Sequence, residues 1–475
     1  RLVGIGYLHL HRPTGTLSAG EAQRVQLASL LGSGLNSLTI LVDEPSRGMH
    51  PTELEALRDA LQELRDEGNT VIVVEHDPMI IQAADHIIDL GPGAGTMGGK
   101  IVAQGTPTDI IKANTHTGKW IKRIQSPEGL GRKEVQDPRI LTHHRTPVGW
   151  MVVKGAKENN LRGETVKFPL HVLTGVCGVS GSGKSTLLID TVGRSLVRKT
   201  HTSSFSQEPL KPGEHDRIEN PPSRTVLVDQ SRQGIRSPAI YLGLTKPLQR
   251  LFADSDDAQA LGLKERALER RCSACSGRGR IRIRMDFLPD EWEECETCQG
   301  TGYRPEAWEV RVNGLTLPEI NAMTLDEVYE RFKDVKQIAD TLEVVRKVGL
   351  GYLVWNQPAY TLSGGEAQRI KIAKELRKKS SQHTLYILDE PTVGLHMEDV
   401  AQLIHVLHLL VDNGNTVIIV EHHPYLLAAC DWLIELGPVG GPEGGKVIST
   451  GPPEEVAMQD TPTAPYLREI VGVTT

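Results

Sequence analysis

The sequence predicts an α/β fold of mostly parallel sheets, present in two tandem copies. Three observations predict it. Short apolar runs such as LYIL before Asp389 and TVIIV before Glu421 end at turn or charged residues, as strands buried on both faces do. A glycine-rich loop, GVSGSGKST at 178–186, follows one such run and opens a helical pattern. The two ends of the chain repeat each other at an offset of about 345 positions.

The repeat sets the organisation. TLSAGEAQRVQLASLL at Thr16 returns as TLSGGEAQRIKIAKEL at Thr361, TILVDEPSRGMHP at Thr39 as LYILDEPTVGLHM at Leu385, and GNTVIVVEHDP at Gly68 as GNTVIIVEHHP at Gly414. Each later copy is followed, like the earlier one, by LGP and GGK. The glycine-rich loop precedes only the second set, so the first copy is expected to lack its front half. The chain opens at Arg1 without an initiator Met, which fits a fragment or a processed chain.

The elements follow in order. HVLTGVCG reads as a strand, the glycine-rich segment as a loop, and STLLIDTVGRSL as a helix. AQRIKIAKELRKK carries apolar residues at helical spacing, so each Ser-Gly signature opens a helix. The proline- and charge-rich stretch near 115–150 reads as a linker. The expected domains are 1–115, the second half of the first module; 116–150, the linker; 151–200 with 355–475, the second module; and 201–354, an insertion holding a cysteine module at 265–310.

Composition bounds the class. The 475 residues exceed one small core. With 39% hydrophobic and 24% charged residues, and no apolar run long enough to span a bilayer, the sequence implies a soluble, cytoplasmic protein with no membrane role. The start lacks the pattern of a secretory signal. A net charge of −7 argues against a basic nucleic-acid coat, yet leaves room for a local basic groove.

The loop matches G-x-x-x-x-G-K-[ST] without deviation. Gly178, Ser180, Gly181 and Gly183 let backbone N–H groups wrap phosphates, Lys184 reaches the β- and γ-phosphates, and Ser185, followed by Thr186, places its hydroxyl on Mg²⁺. Asp389 ends a strand where it reaches the magnesium shell, and Glu390, one residue on, can orient or deprotonate an attacking water. His422 follows another strand end and can hydrogen-bond a γ-phosphate. Gln230 in VLVDQS is a weaker candidate for a Mg²⁺ or water contact. Isolated acids and histidines are more often structural; the repeat and the phosphate loop favour the functional reading.

This set resembles an ABC-type ATPase, in which two modules face head to tail and the phosphate loop of one meets the signature of the other. The resemblance implies α/β, ABC-type P-loop ATPase modules in tandem with an inserted helical signature domain. It also implies that the phosphate loop, Gln230, Asp389, Glu390 and His422 form one face of an ATP site that Ser18, Ala19, Gly20 and Glu21 close. Ser363, Gly364, Gly365 and Glu366, with Asp43, Glu44 and His76, would belong to a second site whose phosphate loop is not in this sequence.

Cys272, Cys275, Cys295 and Cys298 have the C-x2-C-x19-C-x2-C spacing of a four-thiolate zinc site, closed and therefore structural. Cys177 and Cys430 read as buried thiols. Between the cysteine pairs, RGRIRIRM alternates so that Arg280, Arg282 and Arg284 share one strand face, which suits DNA phosphates. A solvated face balanced by the nearby DEWEECE is the alternative.

An ABC ATPase with a zinc-binding module between phosphate loop and signature resembles the UvrA family, whose members recognise DNA damage in bacterial nucleotide excision repair. LSAGEAQR, DEPSRGMHP, VDQS, CSACSGRGRI, FLPD, CETCQG and ILDEPTVGLH carry the likeness over nearly the whole chain. It implies a homodimer that binds damaged duplex DNA, delivers UvrB to lesions and uses ATP, Mg²⁺ and Zn²⁺. Ala19 for a signature glycine, Arg47 and Met49 depart from the family pattern and fit a UvrA-like paralogue in antibiotic self-resistance or a translation-linked role. The zinc insert counts against a ribosome-directed or transporter ATPase, and the ATPase motifs against a chaperone-like zinc domain.

Overall fold

The computed structural model describes residues 3–6, 8, 10–11, 13, 19–93, 95, 98–125, 144–197, 211–228, 232–269, 272–283, 291–378 and 382–473. The chain divides into two compact units. One is Arg1–Gln230 with Ser380–Thr475 and holds both copies of the strand motifs; the other is Ser231–Lys379.

In the first unit the second copy forms a six-stranded sheet in the order Lys446–Gly451, Trp432–Gly437, Leu173–Cys177, Thr416–Val420, Thr384–Asp389, Arg224–Val228. All neighbours are parallel except the edge strand Lys446–Gly451. The central strands are buried along their length, because helices or a second sheet cover both faces and β-branched runs tolerate that burial. On one face Val176, Ile387, Ile418, Val420, Ile434 and Leu436 pack against Leu187, Leu188 and Val192 of the helix after the phosphate loop. Met151, Val153 and Phe168 of a small antiparallel sheet complete that core; its central strand is Gly149–Lys154.

The first copy repeats part of this plan. Thr39–Asp43 pairs parallel with Thr70–Val74, and Ile87–Gly91 pairs antiparallel with Lys100–Gly105. One face is packed: Ile40 and Val42 meet Leu54, Leu57, Leu61 and Leu64 of the helix Pro51–Asp66. The other face is open. Leu41, Ile72 and Leu90 are 75%, 49% and 65% exposed, whereas their repeat counterparts Ile387, Ile418 and Leu436 are 0–1% exposed. The same sequence pattern thus yields half-buried strands in one copy and fully buried strands in the other, according to what lies above them.

The stretch expected to link the copies contains a helix, His116–Gln125, in which Ile121 is buried; residues 126–143 lie outside the described residues. Among the described residues no helix is long and apolar enough to cross a membrane.

The second unit is mainly helical, with a core of Phe252, Phe332, Leu342, Val345, Trp355 and Ile370. It carries the second signature helix, Gly364–Leu376, and a hairpin of Arg280–Ile283 against Glu291–Glu294 beside the four cysteines.

Candidate functional site

The phosphate loop leaves the strand Leu173–Cys177 and enters a helix whose first eight residues, Thr186–Gly193, run as wide π turns before the α-turn Arg194–Leu196. Gly178, Gly181 and Gly183 take φ of +124°, +71° and +99°. A Cβ on Gly178 would lie 1.9 Å from the Leu436 carbonyl oxygen, so only glycine fits. Lys184 is buried and donates to the Gly178 and Val179 carbonyls at 3.0 and 2.8 Å, curling over its own loop. Burial pushes its ammonium down to about 8, opposed by the Glu390 and Glu53 carboxylates. Ser182 is fully buried, and its hydroxyl has no hydrogen-bond partner among the described residues. A buried cation, an orphaned hydroxyl and backbone N–H groups at a helix start fit a polyphosphate. The hydroxyl of Ser185 and the carboxylate of Asp389 are hard oxygen donors of the kind Mg²⁺ takes.

Asp389 ends its strand, and Glu390, next in line, adopts φ of +43°. Its repeat counterpart Glu44, after Asp43, adopts +45°. Non-glycine residues held there mark a conformation imposed by surrounding structure. His422 Nε2 lies 3.9 Å from a Glu390 carboxylate oxygen, and His76 Nε2 lies 3.7 Å from Glu44. Burial raises the Glu390 carboxyl, with Lys184, Arg47 and Arg24 opposing, and depresses the His422 imidazole well below its ordinary range.

The two copies cross at this point. A Cβ on Gly48 would sit 3.2 Å from both Glu390 carboxylate oxygens, and one on Gly394 would sit 3.1 Å from Glu44 Oε1. The Ser180 hydroxyl of the phosphate loop donates to the Glu53 carboxylate, with the Gly48 carbonyl oxygen, 3.1 Å away, as the alternative acceptor for its one proton. His50 caps the Pro51–Asp66 helix, with Glu53 closing a capping box, and its Nε2 meets Thr463 Oγ1 at 3.1 Å. Arg24, in the first signature helix Ala19–Leu31, is buried, and its Nε and Nη1 have no hydrogen-bond partner among the described residues. Its charge is felt by both Glu390 and His422. A cavity of about 690 Å³ lies along the crossing, with Glu44, His76, Glu390 and His422 in its wall.

Of the first signature, Glu21 is buried and Gly20 is in the helix, while Ser18 lies outside the described residues, as do Gln230 and Arg284. In the second unit Ser363 caps its helix through Glu366, which also accepts a 2.6 Å bond from Tyr352. Gly364 and Gly365 form the first turn.

Arg24, His50, Glu53, Thr392 and Glu421 were not singled out by the motifs. Glu421 is buried, accepts from Thr392 Oγ1 and the His423 amide, and is pushed up to about 8 by burial. The repeat held a signal for three of these, since Arg369, His396 and Glu75 occupy the positions matching Arg24, His50 and Glu421, while Ser46 and Asp399 stand at those matching Thr392 and Glu53. Glu53 had none.

The four cysteines converge. Cys272 and Cys295 sulfurs are 3.9 Å apart, Cys275 and Cys298 sulfurs 3.6 Å, and all four lie within 4.8 Å. A tetrahedral shell with metal–sulfur bonds near 2.3 Å sets sulfurs ~3.8 Å apart, so the cluster fits one ion. The knuckles match: the Gly279 amide donates to Cys275 Sγ and the Gly302 amide to Cys298 Sγ, each at 3.2 Å. Cys177 and Cys430 are buried free thiols.

The hairpin register pairs Arg280 with Glu294 and Arg282 with Trp292. The arginine face therefore carries one carboxylate directly opposite and one half-exposed indole.

Comparison with known proteins agrees with this geometry. The family model described as ABC transporter matches residues 276–393. UvrABC system protein A of Bradyrhizobium diazoefficiens is 44% identical over 96% of this chain and 46% of that protein. The protein of the same name from Thermus thermophilus is 42% identical over 98% of this chain and 49% of its own length. The crystal structure of UvrA2 from Deinococcus radiodurans matches with a TM-score of 0.86 and 40% identity, covering 98% of this chain and 56% of that one. The chain thus spans about half the length of the curated relatives it matches. On the phosphate loop, the repeated carboxylate–histidine pairs and these likenesses, the chain belongs to the UvrA family of ABC-type P-loop proteins.

Proposed function

We propose that the chain is the ATP-hydrolysing, zinc-bearing part of a DNA-damage recognition protein of nucleotide excision repair, acting as a homodimer that delivers UvrB to lesions. The observation that carries this reading is the crossing of the two copies. It brings a complete phosphate loop, a buried carboxylate and histidine, and the other copy's turn and signature helix to one place. Damaged duplex DNA and UvrB are the partners this reading proposes, on the strength of the family likeness.

In this mechanism Lys184 and the loop amides bind the phosphates, while Ser185 and Asp389 would hold a Mg²⁺ ion, which would supply positive charge to offset that of the phosphates. Glu390 orients and deprotonates the attacking water, and its raised basicity suits that task. His422, kept neutral by burial, offers a hydrogen bond to the γ-phosphate. Ser18, Gly20 and Glu21 close this site, whereas Ser363, Gly364, Gly365 and Glu366 with Asp43, Glu44 and His76 serve the second. The four cysteines would hold one Zn²⁺, which would brace the hairpin, and Arg280, Arg282 and Arg284 would contact DNA phosphates.

The test is fluorescence anisotropy on a duplex carrying a bulky lesion, at several salt concentrations, with and without ATP. Binding should weaken as salt rises, and replacing the three arginines by alanine should lower the salt slope by about one per lost phosphate contact. Unchanged affinity and slope in that variant would remove the assigned DNA face. Wild-type protein that hydrolyses ATP but ignores DNA would overturn the repair reading.

A further inference from the structure

The phosphate loop of the second copy is held by an acid from the first. Ser180 Oγ donates to the Glu53 carboxylate, which also accepts the His50 amide at 2.8 Å. Ser180 Oγ also lies 3.1 Å from the Gly48 carbonyl oxygen, a second acceptor for the same proton. Glu53 is near enough to contribute to the charge felt by Lys184. Placing a carboxylate on a loop built to receive phosphate sets two anions in competition for the same positive surroundings.

The position of Glu53 gives that competition a mechanical consequence. It is the third residue of the helix Pro51–Asp66, and its capping box fixes the backbone of His50. The turn ending at His50 begins at Glu44, the first copy's carboxylate, and includes Gly48, which abuts Glu390. His50 in turn reaches Thr463, whose amide donates to Glu435 beside the second copy's core. Anything that displaces Glu53 from Ser180 therefore acts on a segment tied at three points to the second copy and leading to the first copy's catalytic turn.

We propose that Glu53 is a positioning residue of the nucleotide site: a cross-copy anion that opposes phosphate binding at residues 178–186 and relays occupancy of that loop to the Glu44 turn. The inference rests on the reading that this loop binds ATP. Glu53 neither touches the reacting atoms nor ligates the metal; it acts through Ser180.

The test measures binding of a fluorescent ATP analogue and of adenosine to the full chain and its Glu53→Gln variant. Glutamine keeps an acceptor for Ser180 and for the capping box and removes only the charge. ATP affinity should rise about three- to tenfold at low salt and the gain should shrink as salt is raised, because the opposing term is Coulombic. Adenosine, which carries no phosphate, should bind both proteins alike. In a Ser180→Ala background the gain should fall to less than half, since the hydroxyl is what holds the carboxylate on the loop.

Unchanged or weaker ATP binding in a Glu53→Gln protein with unchanged Tm would overturn the proposal, as would an equal gain for adenosine. If Glu53→Gln does not fold, Ser180→Ala with Gly48 intact provides the check: wild-type salt dependence in that variant would equally overturn it. Wild-type chain that binds no ATP at all would instead remove the underlying reading of the loop.

Discussion

The open face of the first copy makes a prediction at paired positions. Leu41 and Ile387 occupy the same place in the repeat, on the same face of equivalent strands, yet one is 75% exposed and the other fully buried. Ile387 packs in the core formed with Leu187, Leu188 and Phe168, so Ile387→Ala leaves a cavity and should cost about 2–5 kcal/mol. Leu41 keeps three-quarters of its surface in water, so Leu41→Ala forfeits at most about 0.7 kcal/mol, a quarter of a full burial. With an m-value near 3 kcal/mol/M, urea midpoints should fall by about 0.7–1.7 M for Ile387→Ala and by no more than about 0.2 M for Leu41→Ala. Tryptophan fluorescence reports the transition, because Trp150 and Trp432 meet edge to face at 5.4 Å beside this core. Equal shifts for the two variants would refute the reasoning, since Leu41 would then have to be covered in solution.

Other expectations follow from the site. Glu390→Gln should lower phosphate release by about 10²–10⁴-fold while ATP binding persists, the size of a lost general base; full turnover would remove Glu390 from that role. Because Lys184 titrates near 8, ATP affinity should decline above that pH, and calorimetry in buffers of different ionisation enthalpy should detect proton uptake on binding; buffer-independent heats at pH 8 would contradict it. Glu421 has its carboxyl raised from 4.5 to about 8, so the folded chain holds a proton that the unfolded chain releases between those values. Its stabilising contribution is complete below 4.5 and is lost as pH rises through about 8, and Glu421→Gln should flatten that slope in Tm scans. Metal release by a chelating dye should follow one ion per chain, and Cys295→Ser should abolish it and loosen the hairpin, seen as faster amide exchange at Arg280–Ile283.

Much of this site could be read from spacing alone. A phosphate loop, a strand-ending Asp-Glu and paired C-x2-C knuckles are short-range patterns in which chemistry dictates residue type at fixed offsets, so Lys184, Asp389 and the four cysteines were legible. Features that depend on distant chain segments were not. The left-handed backbone of Glu44 and Glu390 is imposed by surrounding structure and has no local sequence mark. Leu41 and Ile387 lie in near-identical motifs, and only the tertiary neighbours decide which is buried. Period-two alternation placed Arg280 and Arg282 on one face, but the register that sets Glu294 opposite Arg280 belongs to the fold. Glu53 looks like an ordinary capping-box acid until the phosphate loop is seen resting on it.

The crossing of the copies explains why the duplicated motifs keep glycine at Gly48 and Gly394. Each stands where the other copy's carboxylate approaches, Gly48 at Glu390 and Gly394 at Glu44, and each has φ near +70°. A side chain would meet both strain in the left-handed region and a charged group within 3.2 Å. The contact is reciprocal, so movement of either carboxylate is felt by the turn that positions the other. On the proposed reading, hydrolysis and the relay between copies would depend on the same two turns. A substitution that loosens one turn should disturb both functions together, which separates this arrangement from one in which each copy works alone.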